Sequence, residues 1–182
     1  MRDIIAEINE NLDEIERKEG VRILHAVESG SRAWGFASPD SDYDVRFVYA
    51  RPKEDYLRLD ELRDVIEWQL DEVLDINGWD LKKALRQFAK GNATLFEWSE
   101  SPIIYRTTQE WARIKEVSKQ YFSEKGAVYH YYGTANRTLQ DYLLEDTVRY
   151  KKYFYAIRPL LAARYIEEYH TAPPVLFDDL LK

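Results

Sequence analysis

The sequence predicts an α+β fold, in which a β-sheet flanked by helices is followed by a helical region. Short runs rich in β-branched and aromatic residues alternate with amphipathic helical patterns through the first 107 residues. From Thr108 onward the spacing of apolar residues is helical almost to Pro173, and no internal repeat is present. We therefore expect two units, residues 1–107 with the sheet and residues 108–182 with the helices.

The opening of the chain predicts a helix, a strand and a turn. Isoleucine and leucine recur at helical spacing at Ile4, Ile5, Ile8, Leu12 and Ile15. Gly20 follows them as a typical C-terminal stop. Residues 21–27 are β-branched and apolar enough for a buried strand, which leads into Ser29-Gly30-Ser31 and a short helix. After Pro39, residues 43–49 alternate as a second strand.

Two further strand segments and another helix are predicted beyond residue 64. Residues 65–70 and 73–76 are apolar segments joined by a polar turn. Asn77-Gly78 is a typical turn pair. Asp80 immediately precedes the helical pattern of residues 81–88, so we expect it to be the N-cap of that helix.

The C-terminal region predicts two or three helices, because Gly126 and Gly133 are its strong helix breakers. No apolar run approaches the roughly 20 residues of a membrane span. The N-terminus carries acidic residues where a signal peptide would be apolar. The expectation is a cytoplasmic chain without membrane contact.

Composition excludes several kinds of site. The chain has no cysteine, so disulfides and thiolate metal sites are ruled out, and its three histidines are dispersed. The net charge of −7 argues against a protein that grips nucleic acid mainly by neutralising phosphates. The acidic excess lies in residues 1–110, whereas residues 111–170 are mildly basic. This asymmetry suits a polyanionic ligand held with metal ions, or is ordinary surface variation.

Asp42 and Asp44 are the central candidates for chemistry. Residues two apart in a strand share a face, so these carboxylates project together, while Tyr43 and Val45 face the packed side. Paired carboxylates repel each other unless a cation lies between them, and Mg²⁺ or Mn²⁺ is the natural occupant. The preceding Gly30-Ser31 turn offers backbone N–H groups and a hydroxyl to phosphate oxygens. Asp40, directly after Pro39, is favoured as a turn residue.

The chain contains Gly30-Ser31, then ten residues, and then Asp42-Tyr43-Asp44-Val45. This motif resembles the signature of the DNA polymerase β-type nucleotidyltransferase superfamily. Blocks at residues 28–47, 78–85, 97–105 and 151–161 resemble the predicted nucleotidyltransferases of the YcgL type, also called RlaP. The resemblance implies a small mixed β-sheet domain followed by helices, and an RNA-repair role. Members of that family often continue beyond the position of Lys182, which leaves open a further C-terminal helix.

The resemblance also implies a third carboxylate on a neighbouring strand. Asp75, between Leu74 and Ile76, is the first choice. Asp80 is the rival, although helix capping, worth about 1 kcal/mol, already explains its position. The remaining candidates are Glu67 and Asp71.

Several basic residues are candidates for substrate binding. In this arrangement Arg32 would lie beside a triphosphate or pair with a structural acid, and Arg46 would approach the site or neutralise Asp44. Lys151 and Arg158, seven residues apart, share a helix face that either points at phosphates, together with Lys152, or is simply solvated. The eight tyrosines between residues 121 and 155 are more typical of a core than of nucleobase contacts.

The resemblance implies transfer of a nucleoside monophosphate from a nucleoside triphosphate to an acceptor hydroxyl, possibly an RNA end, with release of pyrophosphate. Asp42, Asp44 and Asp75 would be the catalytic metal ligands, with Mg²⁺ or Mn²⁺ as the cofactor. Two alternatives stay open: a non-catalytic nucleotide- or RNA-binding module, and nucleotidylation of a partner protein.

Overall fold

The computed structural model describes residues 3–69 and 72–182, and only the backbone of Gln69. Within this part of the chain the sheet strands are β1 (Arg22–Ser29), β2 (Tyr43–Ala50), β3 (Val65–Gln69), β4 (Leu74–Asp80) and β5 (Ile104–Thr107). The α-helices that surround them are α1 (Ile4–Glu19), α2 (Gly30–Ala33), α3 (Lys53–Tyr56), α4 (Leu81–Ala89), α5 (Ala93–Ser99), α6 (Gln109–Ser118), α7 (Glu124–Thr138), α8 (Tyr150–Tyr169) and α9 (Phe177–Leu180).

The strands form a mixed sheet in the order β3-β4-β2-β1-β5. The central pair, β2 and β4, is parallel, and the other neighbouring strands run antiparallel. The predicted α+β class, with a mixed sheet flanked by helices, is confirmed. The strand expected over residues 65–70 is present to residue 69, and Leu70 lies outside the described residues.

The two faces of the sheet are covered differently. Ile8, Leu12 and Ile15 of α1 are fully buried and pack on one face, as their helical spacing predicted. Gly20 ends α1 in the left-handed conformation, with φ of 63°. Helices α4, α5 and α6 cover the other face through a second apolar cluster.

The alternation of β2 decides which side chains remain available for chemistry. Tyr43, Val45 and Phe47 face α1 within the apolar cluster of that side. Asp44 and Arg46 therefore project from the opposite face. The predicted division of this strand into a packed and a polar side is confirmed.

The prediction of a turn at Asn77-Gly78 is wrong, because both residues lie inside β4. Gly78 is the direct partner of Phe47 on β2, and a Cβ at Gly78 would overlap the Phe47 ring. Gly78 is needed because the Phe47 ring lies close to its backbone, and not because the chain turns there. This reason depends on tertiary packing, which the local sequence does not reveal. The helix predicted from Asp80 does begin there, since α4 starts at Leu81.

The helical region after β5 contains three long helices in the described residues, α6, α7 and α8. Gly126 and Gly133 both lie within α7, so the prediction that they break helices is wrong. A glycine costs an interior helical position only about 1 kcal/mol relative to alanine, which packing of α7 against α8 offsets. No helix in residues 3–69 or 72–182 is long and apolar enough to cross a bilayer.

Candidate functional site

The turn at Gly30 brings the end of β1 against the start of β2. Gly30 has a φ of 62°, a conformation that side chains of L-residues rarely adopt. A Cβ at this position would also overlap the carboxylate of Asp44. The backbone of the Gly30-Ser31 turn therefore lies directly against one of the predicted metal ligands.

Asp44 and Asp75 are direct partners across the parallel strands β2 and β4. Neighbouring strands lie about 4.8 Å apart, and paired residues project from the same face. Asp42 is exposed and lies just before β2, where its charge acts on Asp44. The fold thus brings Asp44 and Asp75 together beside the Gly30 turn, with Asp42 at the entrance of β2.

Arg46 joins two of these carboxylates. Its Nη2 donates to Asp75 Oδ2 at 2.7 Å and to Asp44 Oδ1 at 3.3 Å. Its Nη1 donates to the carbonyl oxygens of Val45 at 3.0 Å and Asp75 at 3.2 Å. Of the two positions expected for Arg46, the structure shows the pairing with Asp44 and adds Asp75.

Electrostatics distinguish Asp44 from an ordinary surface carboxyl. Burial raises its pKa above the usual value, and the charges of Asp75 and Asp42 raise it further. The charges of Arg46 and Lys151 act in the opposite direction without reversing the shift. A cation placed beside Asp44 would therefore favour the ionised form of this carboxyl.

The donor chemistry of this cluster suits a hard divalent cation. Carboxylate oxygens are preferred ligands of Mg²⁺ and Mn²⁺, and a cationic group, the Arg46 guanidinium, already lies between Asp44 and Asp75. In the part of the chain that the structure describes, no group of three or more histidine, cysteine, aspartate or glutamate side chains converges as a preformed metal site. The carboxylates are suitable ligands for such an ion, but the Arg46 guanidinium occupies the position between them.

The rivals of Asp75 lie elsewhere. Asp80 is five residues further along β4, about 16 Å away at the rise of a strand. Its side chain accepts from the backbone N–H of Lys82 at 2.8 Å and from the hydroxyl of Tyr56 at 3.0 Å, as expected of a helix cap. Glu67 is exposed on β3, and Asp71 lies outside the described residues. Position favours Asp75 as the third carboxylate, which stays a prediction.

Arg32 occupies a structural position in the loop before β2. Its Nε donates to the carbonyl of Asp42 at 3.1 Å and its Nη2 to that of Ser41 at 2.6 Å. The guanidinium also lies 3.7 Å from the centre of the Tyr43 ring. Arg32 therefore holds the acidic loop in shape, so its predicted contact with a triphosphate gains no support from this geometry.

Helix α8 brings cationic and aromatic groups to the acidic loop. Lys151 Nζ donates to Ser41 Oγ at 2.7 Å. The charge of Lys151 partly offsets the rise in the pKa of Asp44 that burial causes. Tyr155 is half-buried and hydrogen-bonds the side chain of Ser31, although burial raises the pKa of its hydroxyl overall. Lys151 thus lies beside the acidic loop, and its contact with phosphate stays a prediction.

Arg158 does not accompany Lys151 into the site, whereas Lys152 lies near Tyr155, with 5.7 Å between its Nζ and the centre of that ring. Lys152 Nζ lies 3.5 Å from the centre of the Tyr142 ring, in a cation–π contact. Arg158 is only 3% exposed and donates to Glu97 Oε1 at 2.9 Å and to the carbonyl of Val175. A buried, fully engaged guanidinium is not available to a phosphate, which argues against the predicted substrate contact of Arg158.

Comparison with known proteins identifies the family of this chain. The sequence matches RlaP, the RNA repair pathway DNA polymerase beta family, over residues 4–182. The chain belongs to the RlaP family. It is 48% identical over 177 residues to the uncharacterized protein YcgL of Bacillus subtilis strain 168. The alignment covers 96% of this chain and 67% of YcgL. The resemblance drawn from the Gly30–Val45 motif is confirmed.

A solved structure with a related description is that of a nucleotidyltransferase-like protein from Exiguobacterium sibiricum 255-15. The two share 13% identity with a TM-score of 0.39, over 88% of this chain and 58% of the other. The chain thus spans just over half of that protein's length. The RlaP family places the chain among nucleotidyltransferases of the DNA polymerase β type.

Glu28 is a buried carboxyl of this RlaP chain that the sequence analysis missed. It directly precedes the Ser29-Gly30 turn and has no exposed surface. One oxygen accepts the backbone N–H of Asp44 at 2.8 Å, and the other accepts the hydroxyl of Tyr105. Glu28 therefore fixes the main chain of Asp44 relative to the Gly30 turn. A lone glutamate at a strand end carries no sequence signal for this role.

The stability of the RlaP chain should depend on pH through Glu28. Burial raises the pKa of this carboxyl, and the charge of Asp44 adds to the shift. An acid with a raised folded-state pKa contributes stability that is present below its unfolded pKa and lost as pH rises. Glu28→Gln should therefore gain stability relative to wild type as pH rises above the usual glutamate pKa of 4.5, measured by urea unfolding. Glu110→Gln is the control, because the pKa of exposed Glu110 is lowered and the sign reverses.

Asp75 and Asp80 can be separated by matched amide substitutions. Asp75→Asn should lower nucleotide transfer about 10²-fold, because the amide neither binds a cation strongly nor accepts a proton. Asp80→Asn should leave transfer within about twofold, since asparagine caps a helix as well as aspartate does. Initial rates at saturating nucleotide measure both variants. The reverse ranking would identify Asp80 as the third carboxylate of this RlaP chain.

Proposed function

We propose that the chain transfers a nucleoside monophosphate from a nucleoside triphosphate to an acceptor hydroxyl and releases pyrophosphate. One observation carries the proposal: Asp44 and Asp75 are paired across parallel strands, with the Gly30 turn in direct contact with Asp44. A phosphate-binding turn beside opposed carboxylates is the set of groups that phosphoryl transfer requires. The RlaP family is a DNA polymerase beta family, which supports the same reaction class.

Each residue of the site has a role in this proposal. The backbone N–H groups of Gly30 and Ser31 hold phosphate oxygens of the triphosphate. Asp42, Asp44 and Asp75 would hold Mg²⁺ or Mn²⁺, which when bound neutralises phosphate charge and lowers the pKa of the acceptor hydroxyl. Lys151 places a further positive charge beside the acidic loop.

The chemical step needs one proton acceptor. The acceptor oxygen attacks the α-phosphorus, the bond from that phosphorus to the bridging oxygen breaks, and pyrophosphate leaves. The proton of the hydroxyl passes to the carboxylate of Asp75, which lies opposite Asp44 and is half exposed. In this proposal Asp75 accepts the proton in addition to its role as a cation ligand, whereas Asp44 acts as a ligand alone.

The proposed acceptor is an RNA end, because the RlaP family is an RNA repair pathway family. The test incubates each of the four α-labelled triphosphates with the chain, Mg²⁺, and either RNA ending in a free hydroxyl or a cell lysate. We expect pyrophosphate release and label in RNA. Label in protein would instead indicate nucleotidylation of a partner. Triphosphate binding in calorimetry without turnover on any acceptor would contradict transfer and indicate a binding module.

A further inference from the structure

Arg46 holds an unusual place in the candidate site. Its side chain is 20% exposed, and it bridges two carboxylates that belong to different strands. Asp75 Oδ2 lies at 2.7 Å and Asp44 Oδ1 at 3.3 Å from the same nitrogen, Nη2. The guanidinium thus engages one oxygen of each carboxylate.

A divalent ion between Asp44 and Asp75 would draw its ligands from the same two carboxylates that Arg46 binds. A guanidinium and a divalent ion carry like charges, and at contact distance their repulsion in a partly buried site is large. Neither can share the same oxygen lone pairs with the other. Occupation by one therefore opposes occupation by the other.

We infer that Arg46 is a resident counter-ion of the Asp44–Asp75 pair, which a divalent cation must displace before it can bind there. The inference rests on the proposed function in taking Asp44 and Asp75 as cation ligands. It adds that, in the nucleotide-free chain, the ion pairs with Arg46 keep Asp44 and Asp75 from binding a cation. The chain alone then binds divalent ions weakly.

The displaced guanidinium needs new acceptors. Its Cα is fixed in β2, so only the side chain moves, and the phosphate oxygens of a triphosphate held at the Gly30 turn are suitable partners. Nucleotide binding would then favour release of Arg46 and loading of the ion. By linkage, ion loading favours nucleotide binding by the same factor.

Direct metal titration of the nucleotide-free chain tests this inference. Free Mn²⁺ is followed by electron paramagnetic resonance at constant ionic strength, with wild type, Arg46→Gln and Arg46→Lys. Arg46→Gln should bind Mn²⁺ at least about tenfold more tightly than wild type, because the competing charge is removed. Arg46→Lys keeps the charge and should stay within about threefold of wild type.

The chain supplies a closely matched control in Arg106. This arginine also bridges two carboxylates, Asp13 at 2.6 Å and Glu16 at 2.9 Å, and its side chain is 24% exposed. It lies on the α1 side of the sheet, away from Asp44. Arg106→Gln removes the same charge and should leave Mn²⁺ affinity unchanged. If Arg46→Gln and Arg106→Gln increased Mn²⁺ affinity equally, the change in net charge would explain the effect. That result would overturn the inference.

Failure of this inference and failure of the proposed function give different results. If wild type releases pyrophosphate while folded Arg46→Gln binds Mn²⁺ no more tightly, displacement of Arg46 is wrong and transfer stands. If Arg46→Gln binds more tightly but no acceptor is labelled, displacement stands and transfer is wrong. Circular dichroism checks folding, and Mg²⁺-induced shifts of the Arg46 side-chain resonances in wild type give an independent reading. Unshifted resonances at saturating Mg²⁺ would also overturn the inference.

Discussion

The double substitution Asp42→Ala, Asp44→Ala should abolish nucleotide transfer, with a loss of at least about 10³-fold in rate. Asp44 lies against the Gly30 turn and opposite Asp75, so its removal leaves no carboxylate pair across β2 and β4. Asp42 is the nearest exposed acid and cannot substitute once it too is replaced. Pyrophosphate release under saturating triphosphate and Mg²⁺ measures the effect.

The same variant should be at least as stable as wild type. Because the pKa of Asp44 is raised by burial, its ionised form opposes folding at neutral pH, and removing it relieves that cost. The control is Glu167→Ala, Glu168→Ala, which removes two exposed acids from the far end of α8. An inactive but stable variant beside an active control would place the loss in the site. Transfer that survives Asp42→Ala, Asp44→Ala would refute these residues as ligands.

The site was largely predictable because its geometry follows from strand periodicity. Alternation alone places Asp44 opposite in direction to Val45, and a hydrophobic neighbourhood marks Asp75 as a strand residue. The direct pairing of Asp44 with Asp75 needed more, since the register of a parallel pair depends on the whole sheet. The resemblance to the superfamily implied a third carboxylate on a neighbouring strand, but it left both Asp75 and Asp80 as candidates for that position.

Other features could not be read from local patterns. Asn77-Gly78 has the composition of a turn, yet the ring of Phe47, thirty-one positions earlier, determines its conformation. Glu28 and Arg46 form partnerships across strands that no spacing rule predicts. Local signals fail where long-range contacts set the conformation, and in this chain those contacts surround the candidate site.

Arg158 shows the same limit in a basic residue. Helical spacing relates it to Lys151 on one face, and Lys151 does reach the acidic loop. Seven residues of helix span about 10 Å, however, and over that distance α8 passes from the site into the interior. Arg158 there lies 4.5 Å from the Trp34 ring, next to α2, and pairs with Glu97 of α5. It joins the helical region to the sheet domain.

Arg158→Ala should therefore lower the free energy of unfolding by about 3–5 kcal/mol, because it leaves the largely buried carboxylate of Glu97 with the hydroxyl of Tyr131 but without its cationic partner. Two donors to the carbonyl of Val175 are lost at the same time. Urea unfolding at neutral pH measures the change. Arg164→Ala, an exposed arginine of the same helix, is the control and should stay within about 0.5 kcal/mol of wild type.

Kinetics then separate a structural role of Arg158 from contact with substrate. At a temperature where Arg158→Ala is fully folded, a structural role leaves the KM for the triphosphate near the wild-type value. A guanidinium that bound phosphate would instead raise KM about tenfold or more, whatever the temperature. Lys151→Ala is the comparison, because Lys151 lies at the acidic loop and its loss should raise KM without a comparable loss of stability. A different result would support substrate contact: Arg158→Ala would raise KM in the folded protein and leave stability unchanged. The predicted contact of Arg158 with substrate would then be correct. In that case the Arg158 side chain would have to become exposed when substrate binds.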